Sequence, residues 1–310
     1  MNTSLPAACV LAMLALVPDP ALGADSVASP APGFQTEDVT RFYQVLEATD
    51  GAPSAAVLQD QYLDRGSAGL HELAKLRDIT AEKLAAAIQK KPNVFRDARR
   101  CAQPLPQVAR RVTMALEDLR ARYPEALLPP VTVVIGRGNT GGTTGPSGVL
   151  IGLETICSVV TVGEEEDRLV RLIAHEYAHV QQPATRTEPD HPTLLYAAIV
   201  EGGAELVAEL ISGEIANPQL KKWTRGREKD IETEFSSNLR STDLSRWLWN
   251  GPGSDERPGD LGYWVGYRIT KALFVRTPDK QQALKKILTA TPEEILAESG
   301  WYPGIELDRR

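Results

Sequence analysis

The feature that most constrains this chain is a pair of histidines, His175 and His179, which stand one helical turn apart in an HExxH motif. Residues four apart lie on one face of a helix, so both imidazoles can face a single metal ion. Glu176 falls beside that face, where it can take a proton from a water molecule. The chain has 4 histidines in 310 residues, and chance alone predicts this motif only ~0.004 times. The motif therefore predicts a metal site on a helix. The alternative is a histidine pair that is simply buried in a core.

A catalytic zinc site takes three protein ligands and one open position, so a third ligand is needed. The metzincin pattern would place a histidine where this chain has Thr185, and that class is excluded. His191 lies in a proline-flanked turn and is typical of a loop, with a substrate or metal contact as the alternative. Two carboxylates remain on the helix predicted for residues 192–212, Glu201 and Glu205. They share a face, so spacing alone permits either one as the ligand.

Two glycines, Gly202 and Gly203, follow Glu201 in the interior of this predicted helix. Each costs roughly 1 kcal/mol relative to alanine, so something must offset them. We expect close packing against the helix that carries the histidines, which favours Glu201 as the ligand. The alternative is an ordinary solvated stripe of Glu201, Glu205 and Glu209, which does not account for the paired glycines.

A family resemblance rests on these residues. The HEYAH segment combined with EGGAE resembles the gluzincin zinc peptidases, and EGGAE looks like the EGxAE segment of their aminopeptidase branch. More closely, residues 136–267 resemble the predicted Zn-dependent proteases of bacterial envelopes, which are distantly related to a gliding-motility lipoprotein. The resemblance implies a zincin-like fold with His175, His179 and Glu201 as Zn²⁺ ligands and Glu176 as general base. It also implies that Glu205 supports a ligand imidazole.

The same resemblance suggests how a substrate would be held. It implies that the strand at 149–153 is an edge strand that pairs with an extended peptide. Tyr263 and Tyr267 lie four residues apart in the segment GYWVGY, and either phenol can donate to a developing oxyanion. The alternative for both tyrosines is aromatic packing in the core.

The hydrophobic pattern predicts a mainly α architecture of the α+β class. It comprises an N-terminal helical region over residues 36–130, and the resemblance implies that residues 131–310 form a zincin-like metallopeptidase region. Strands are predicted at 131–135 and 148–153, joined by a long glycine-rich segment that makes a small antiparallel hairpin or sheet. Residues 136–141 match GxGxxG. A strand follows them instead of a helix, so dinucleotide binding is rejected.

The N-terminus predicts export. Residues 7–17 form an apolar run too short to span a bilayer, and a small-residue site at 21–23 follows, so residues 1–23 are assigned to a signal peptide. The alternative is a buried N-terminal helix. Residues 24–35 form a flexible lead-in. Removal of the peptide leaves Cys101 and Cys157, and an oxidising compartment makes this pair a disulfide candidate. The expected location is periplasmic or secreted, with no transmembrane span in the mature chain.

Charge limits the partners. Asp and Glu number 41 against 34 Lys and Arg, for a net charge of -7. A nucleic-acid binder needs a basic footprint, so a peptide or protein substrate is expected instead. The sequence thus predicts an exported zinc peptidase. Two alternatives stay open: a zinc hydrolase acting on a non-protein amide, and a non-catalytic metal-containing envelope factor that binds partners through the hairpin edge.

Overall fold

The computed structural model describes residues 33–183 and 191–307, and these belong to one compact unit. The predicted signal peptide, residues 1–23, and most of the lead-in lie outside the described residues. The first part of the chain is helical, as predicted, with a π-helical turn at Gln59–Leu63. Its α-helices are α1 (Glu37–Ala48), α2 (Ala55–Leu58), α3 (Ala68–Leu76), α4 (Ala81–Lys90), α5 (Pro92–Asp97), α6 (Arg99–Ala102) and α7 (Leu105–Arg122). The side chains of Ser54, Ser67 and Thr80 cap the N-termini of α2, α3 and α4.

A small mixed sheet follows the helical region. Its strands are β1 (Phe34–Gln35), β2 (Val131–Val134), β3 (Gly142–Gly145) and β4 (Gly148–Gly152), in the spatial order β1-β2-β4-β3. The predicted strands at 131–135 and 148–153 form, but they pair in parallel, so the hairpin predicted between them is wrong. The antiparallel hairpin forms instead between β4 and β3, and β3 lies inside the glycine-rich segment. A short turn at Pro146 and Ser147 joins these two strands.

The rest of the chain returns to helices. They are α8 (Leu153–Val159), α9 (Glu165–Gln181), α10 (Leu194–Ser212), α11 (Pro218–Thr224), α12 (Glu228–Ser236), α13 (Leu261–Arg276), α14 (Lys280–Thr289) and α15 (Pro292–Ser299). Apolar periodicity predicts one helix over residues 221–239, but the structure forms two helices there, α11 and α12. Helix α9 ends just before Pro183, which has no N–H to continue it. None of the described helices is long and apolar enough to cross a membrane.

Two hydrophobic clusters form the interior. The first joins the N-terminal helices, the sheet and α9, and the second packs α13 against its neighbouring helices. Helix α10 contributes to both, since Ala204 and Val207 lie in the first cluster and Ala198 and Leu206 in the second. The residues of α10 are therefore held from both sides, which fixes where Glu201 can point.

The predicted disulfide is present. Cys101 on α6 is bonded to Cys157 on α8, and both residues are buried. The bond ties the N-terminal helical region to the helix that follows the sheet. It closes a loop across a sequence separation of 56 residues.

Candidate metal centre

Three predicted side chains converge where α9 meets α10. His175 and His179 lie one turn apart on α9, and Glu201 reaches them from α10. Glu201 Oε2 is 3.2 Å from His175 Nε2 and 3.3 Å from His179 Nε2, and the two imidazole nitrogens are 3.2 Å apart. These three atoms form a nearly equilateral triangle.

The size of the triangle fits a zinc ion. Zn–N and Zn–O bonds of about 2.0–2.1 Å with tetrahedral angles place neighbouring ligand atoms about 3.3–3.4 Å apart. The observed separations of 3.2–3.3 Å are close to this value. Two imidazoles and one carboxylate are also the donor set of many catalytic zinc sites. The described residues that could hold a metal ion as such a group are His175, His179 and Glu201.

Electrostatics hold the carboxylate of this group charged. Burial raises the pKa of Glu201, but His179 and His175 outweigh burial and hold it well below its usual range. Burial lowers the pKa of His179, yet the charge and hydrogen bond of Glu201 raise it to about 9. A metal ion binds the neutral imidazole, so its binding would release the proton that this raised pKa favours.

A glutamine orients one imidazole. His179 Nδ1 lies 2.8 Å from Gln182 Oε1, while Gln182 Nε2 donates to the carbonyl oxygen of Val200 at 2.9 Å. The second bond fixes which end of the amide faces the ring, so Nδ1 carries a hydrogen and Nε2 points toward the triangle. No motif in the sequence indicates this role, although Gln182 stands only three residues after His179.

Glu205 lies behind the other imidazole. Its Oε1 atom is 3.5 Å from His175 Nδ1, too far for a well-formed hydrogen bond. Glu205 also accepts hydrogen bonds from the backbone N–H of Asn217 at 3.2 Å and from its side-chain amide at 2.5 Å. It sits on the side of His175 away from the triangle, the place expected of a supporting carboxylate.

Glu176 lies in the wall of the cavity that opens onto the triangle. The cavity has a volume of about 410 Å³. Glu176 is 7% exposed, and burial raises the pKa of its carboxyl group, although His179 and His175 oppose the shift. It packs directly against β3, because a Cβ atom on Gly142 would lie 2.5 Å from Glu176 Oε1. Only a residue without a side chain permits this approach.

The structure separates the two tyrosines. Tyr263 lines the cavity, and its ring stacks on His175 with the centroids 6.0 Å apart. Burial and Glu201 raise its pKa, so the phenol keeps its proton. Tyr267 lies outside the cavity wall, donates to Glu209 at 3.0 Å and stacks on Trp264. These contacts favour the packing alternative for Tyr267 and leave Tyr263 as the phenol at the cavity. Tyr267 lies one helical turn beyond Tyr263 along α13, where its phenol contacts Glu209 instead of the cavity.

The edge strand is also corrected. Strand β4 is internal, so residues 149–153 cannot pair with a peptide. The outer strand is β3, whose Gly142, Thr143 and Thr144 line the cavity. Gly152 N–H donates to the carbonyl of Gly141 at 3.0 Å. Because bonded and non-bonded pairs alternate along an antiparallel ladder, Gly142 and Thr144 turn their backbone groups to the outer edge.

Two further cavity residues carried no signal in the sequence. Trp249 donates from Nε1 to Glu201 Oε1 at 3.4 Å, on the oxygen that does not face the histidines. Its backbone has a φ of 54°, which is strained for a bulky side chain. Arg77, far upstream at the end of α3, also lines the cavity. His191, by contrast, is exposed and does not line the cavity.

The glycine pair has a different partner from the one predicted. A Cβ on Gly202 would lie 2.0 Å from the carbonyl carbon of Gly266 on α13, so α10 presses there on α13 and not on α9. A Cβ on Gly203 would lie 3.3 Å from the side chain of Ile287 and 3.6 Å from Gln182 Nε2. The close approach of α10 to α13 at Gly202 thus helps to fix the position of the neighbouring Glu201.

Comparison with known proteins supplies one match. Residues 140–297 match the model of a family described as predicted Zn-dependent protease (DUF2268). The matched segment covers half of the chain and includes His175, Glu176, His179 and Glu201, whereas α3 with Arg77 lies outside it. The chain matches no curated protein and no protein of solved structure.

Proposed function

Because the chain belongs to the predicted Zn-dependent protease family (DUF2268), we propose that it is an exported zinc peptidase. The proposed ligands are His175, His179 and Glu201, and Glu176 is the general base. One observation carries the proposal. The triangle of ligand atoms has sides of 3.2–3.3 Å and opens on a cavity that holds a buried carboxylate.

The residues have distinct roles. When bound, zinc would polarise the substrate carbonyl and make a water molecule more acidic. Glu176 takes a proton from that water molecule as the water oxygen adds to the carbonyl carbon of the substrate. It then gives the proton to the amide nitrogen as the C–N bond breaks. The raised pKa of Glu176 suits it to both transfers.

The outer edge of β3 supports a peptide substrate over a non-protein amide. Gly142 and Thr144 turn backbone groups outward beside Glu176, and such an edge can hydrogen-bond an extended chain. Tyr263 is suited to donate to the developing oxyanion, because its phenol is protonated and lines the same cavity.

Export is proposed from the signal-like N-terminus and supported by the disulfide between Cys101 and Cys157, since such bonds persist in oxidising compartments. Cell fractionation with N-terminal sequencing of the mature chain would test it. A full-length cytoplasmic product would contradict this part of the proposal.

The catalytic test is Glu176→Gln, in zinc-loaded protein digesting a peptide library. The variant should retain zinc and lose hydrolysis, because an amide cannot accept the proton. Glu166→Gln, on the same helix but paired with Arg111, is the matched control and should keep activity. Activity that survives in Glu176→Gln would refute the mechanism. Bound zinc without hydrolysis in the wild type would favour the non-catalytic envelope factor.

The ligand assignment is tested by zinc titration. Glu201→Ala should largely abolish binding, since it removes a corner of the triangle. Glu205→Ala should lower affinity by about 10- to 100-fold, as expected for a residue that supports a ligand. The reverse order would exchange the two roles.

A further inference from the structure

Arg77 places a positive charge in the wall of the cavity. In sequence it lies before the segment that matches the family, residues 140–297. It follows the last residue of α3, and its carbonyl accepts hydrogen bonds from Arg137 Nε at 3.2 Å and Asn139 Nδ2 at 3.0 Å. Its guanidinium donates from Nη2 to Thr143 Oγ1 on the edge strand at 2.9 Å. Both its backbone and its side chain are therefore held beside β3.

The charge of Arg77 is not neutralised by a salt bridge to any described residue. The nearest acids along the chain have other partners, since Asp78 pairs with Lys83 and Glu72 accepts hydrogen bonds from Ser147. A guanidinium has five N–H groups in a planar fork, and Thr143 takes one. The remaining donors suit a carboxylate, which a guanidinium binds through two parallel hydrogen bonds.

The position of Arg77 relates it to the reacting bond. Gly142 packs against Glu176, and Thr143, which binds Arg77, is the next residue along the edge. One strand residue spans about 3.4 Å, so a peptide lying along β3 would bring a neighbouring side chain to the guanidinium.

We propose that Arg77 forms a carboxylate-binding subsite that selects peptides with an acidic group within about two residues of the scissile bond. This inference rests on the proposed peptidase function and names its substrate class. The carboxylate comes either from an Asp or Glu side chain or from the C-terminus of the peptide. The two sources share one chemistry, and the experiment separates them.

The first arm measures kcat/KM for matched peptide pairs. One series replaces Asp or Glu by Asn or Gln at each position, and another compares a free C-terminus with its amide. The wild type should prefer the acidic member in one series by about 10-fold or more, as for a charge-assisted hydrogen bond. Arg77→Gln should reduce that ratio to near one, and because the readout is a ratio, a general loss of activity cancels.

Two further variants isolate the cause. Lys75→Gln removes the same charge from the same helix at an exposed position outside the cavity, so it should keep the wild-type preference. Thr143→Val removes the hydrogen bond to Arg77 but leaves the guanidinium, and it should keep a preference for acidic peptides. If Arg77 only braced the edge strand, Arg77→Gln would slow all peptides equally and leave the ratio unchanged. That result would overturn the proposal.

The second arm needs no turnover. Zinc-loaded Glu176→Gln protein is titrated calorimetrically with the same peptide pairs, with and without Arg77→Gln. The subsite is supported if the acidic peptide binds more tightly and this preference disappears with Arg77→Gln. This holds even if the wild-type protein cleaves no peptide, and only the proposed hydrolysis then fails. Equal affinities for the acidic and amide peptides, or no binding of either, would overturn the subsite.

Discussion

Replacement of Gly202 by alanine tests how α10 is positioned. A Cβ at this position would lie 2.0 Å from the carbonyl carbon of Gly266 and 2.1 Å from the backbone nitrogen of Tyr267. Carbon atoms in contact prefer about 3.5–4.0 Å, so α10 and α13 would have to separate by about 1.5 Å. The obstructing atoms are backbone and cannot rotate away.

The magnitude follows from two opposing effects. Alanine gains about 1 kcal/mol over glycine in a helix interior. Overpacking of a well-packed core costs about 1–3 kcal/mol, sometimes more, and a backbone clash belongs at the upper end. We therefore expect Gly202→Ala to lower the free energy of unfolding by about 2 kcal/mol or more. It should also weaken zinc binding, because the displacement moves the adjacent Glu201.

Gly203→Ala is the matched control. Its Cβ would lie 3.3 Å from the Cγ2 methyl of Ile287, and the next atoms, Gln182 Nε2 at 3.6 Å and the Ile287 carbonyl oxygen at 3.8 Å, are at ordinary contact distance. A movement of a few tenths of an ångström relieves the closest contact. The helix-propensity gain should then make this variant as stable as the wild type, or more stable by up to about 1 kcal/mol. Urea unfolding of the oxidised protein measures both variants, and the two midpoints should differ by about 1 M. Equal midpoints would refute the inferred contact between α10 and α13.

Three further predictions concern catalysis and stability. Tyr263→Phe should lower kcat by about 10²–10³-fold as an oxyanion donor, whereas Tyr267→Phe should keep wild-type kcat; equal values for both would make Tyr263 a packing residue. Replacing both Cys101 and Cys157 with serine removes the disulfide. From the length of the loop that the bond closes, this should lower the free energy of unfolding by about 4 kcal/mol. An unchanged denaturation midpoint would contradict this prediction. Burial raises the pKa of Glu154 above its usual value of 4.5, so folding binds a proton. The stability of the wild type relative to Glu154→Gln should therefore fall as pH rises from 4.5. The fall should be about 1.4 kcal/mol for each unit by which the pKa in the folded state exceeds that in the unfolded state. A difference between the two urea stabilities that does not change with pH would show that this carboxyl does not titrate on folding.

The contrast between Glu154 and Glu176 shows how one residue type serves two purposes. Both carboxyl groups are buried and have raised pKa values. Glu154 accepts hydrogen bonds from the backbone N–H groups of Gly136 and Gly138, at 2.9 and 2.8 Å, and so holds the start of the glycine-rich segment. Glu176 faces the cavity instead, which is the position that a general base requires.

Local features of this protein could be predicted from its sequence. The spacing of His175 and His179 places both imidazoles on one face of a helix, and Pro183 stops that helix wherever it packs. The apolar periodicity of residues 261–276 predicts α13 in the same way. Such inferences succeed because they depend on residues within a few positions of one another.

Only the tertiary structure decided which surfaces meet. Periodicity indicates that a face is buried but not what buries it, so it could not separate Tyr263 from Tyr267 or show that Gly202 contacts α13. The parallel pairing that makes β4 internal joins strands distant in sequence, and strand order depends on how the whole core packs. Arg77 reaches the cavity for the same reason. Its contact with Thr143 spans 66 residues, and no local pattern encodes a contact over that separation.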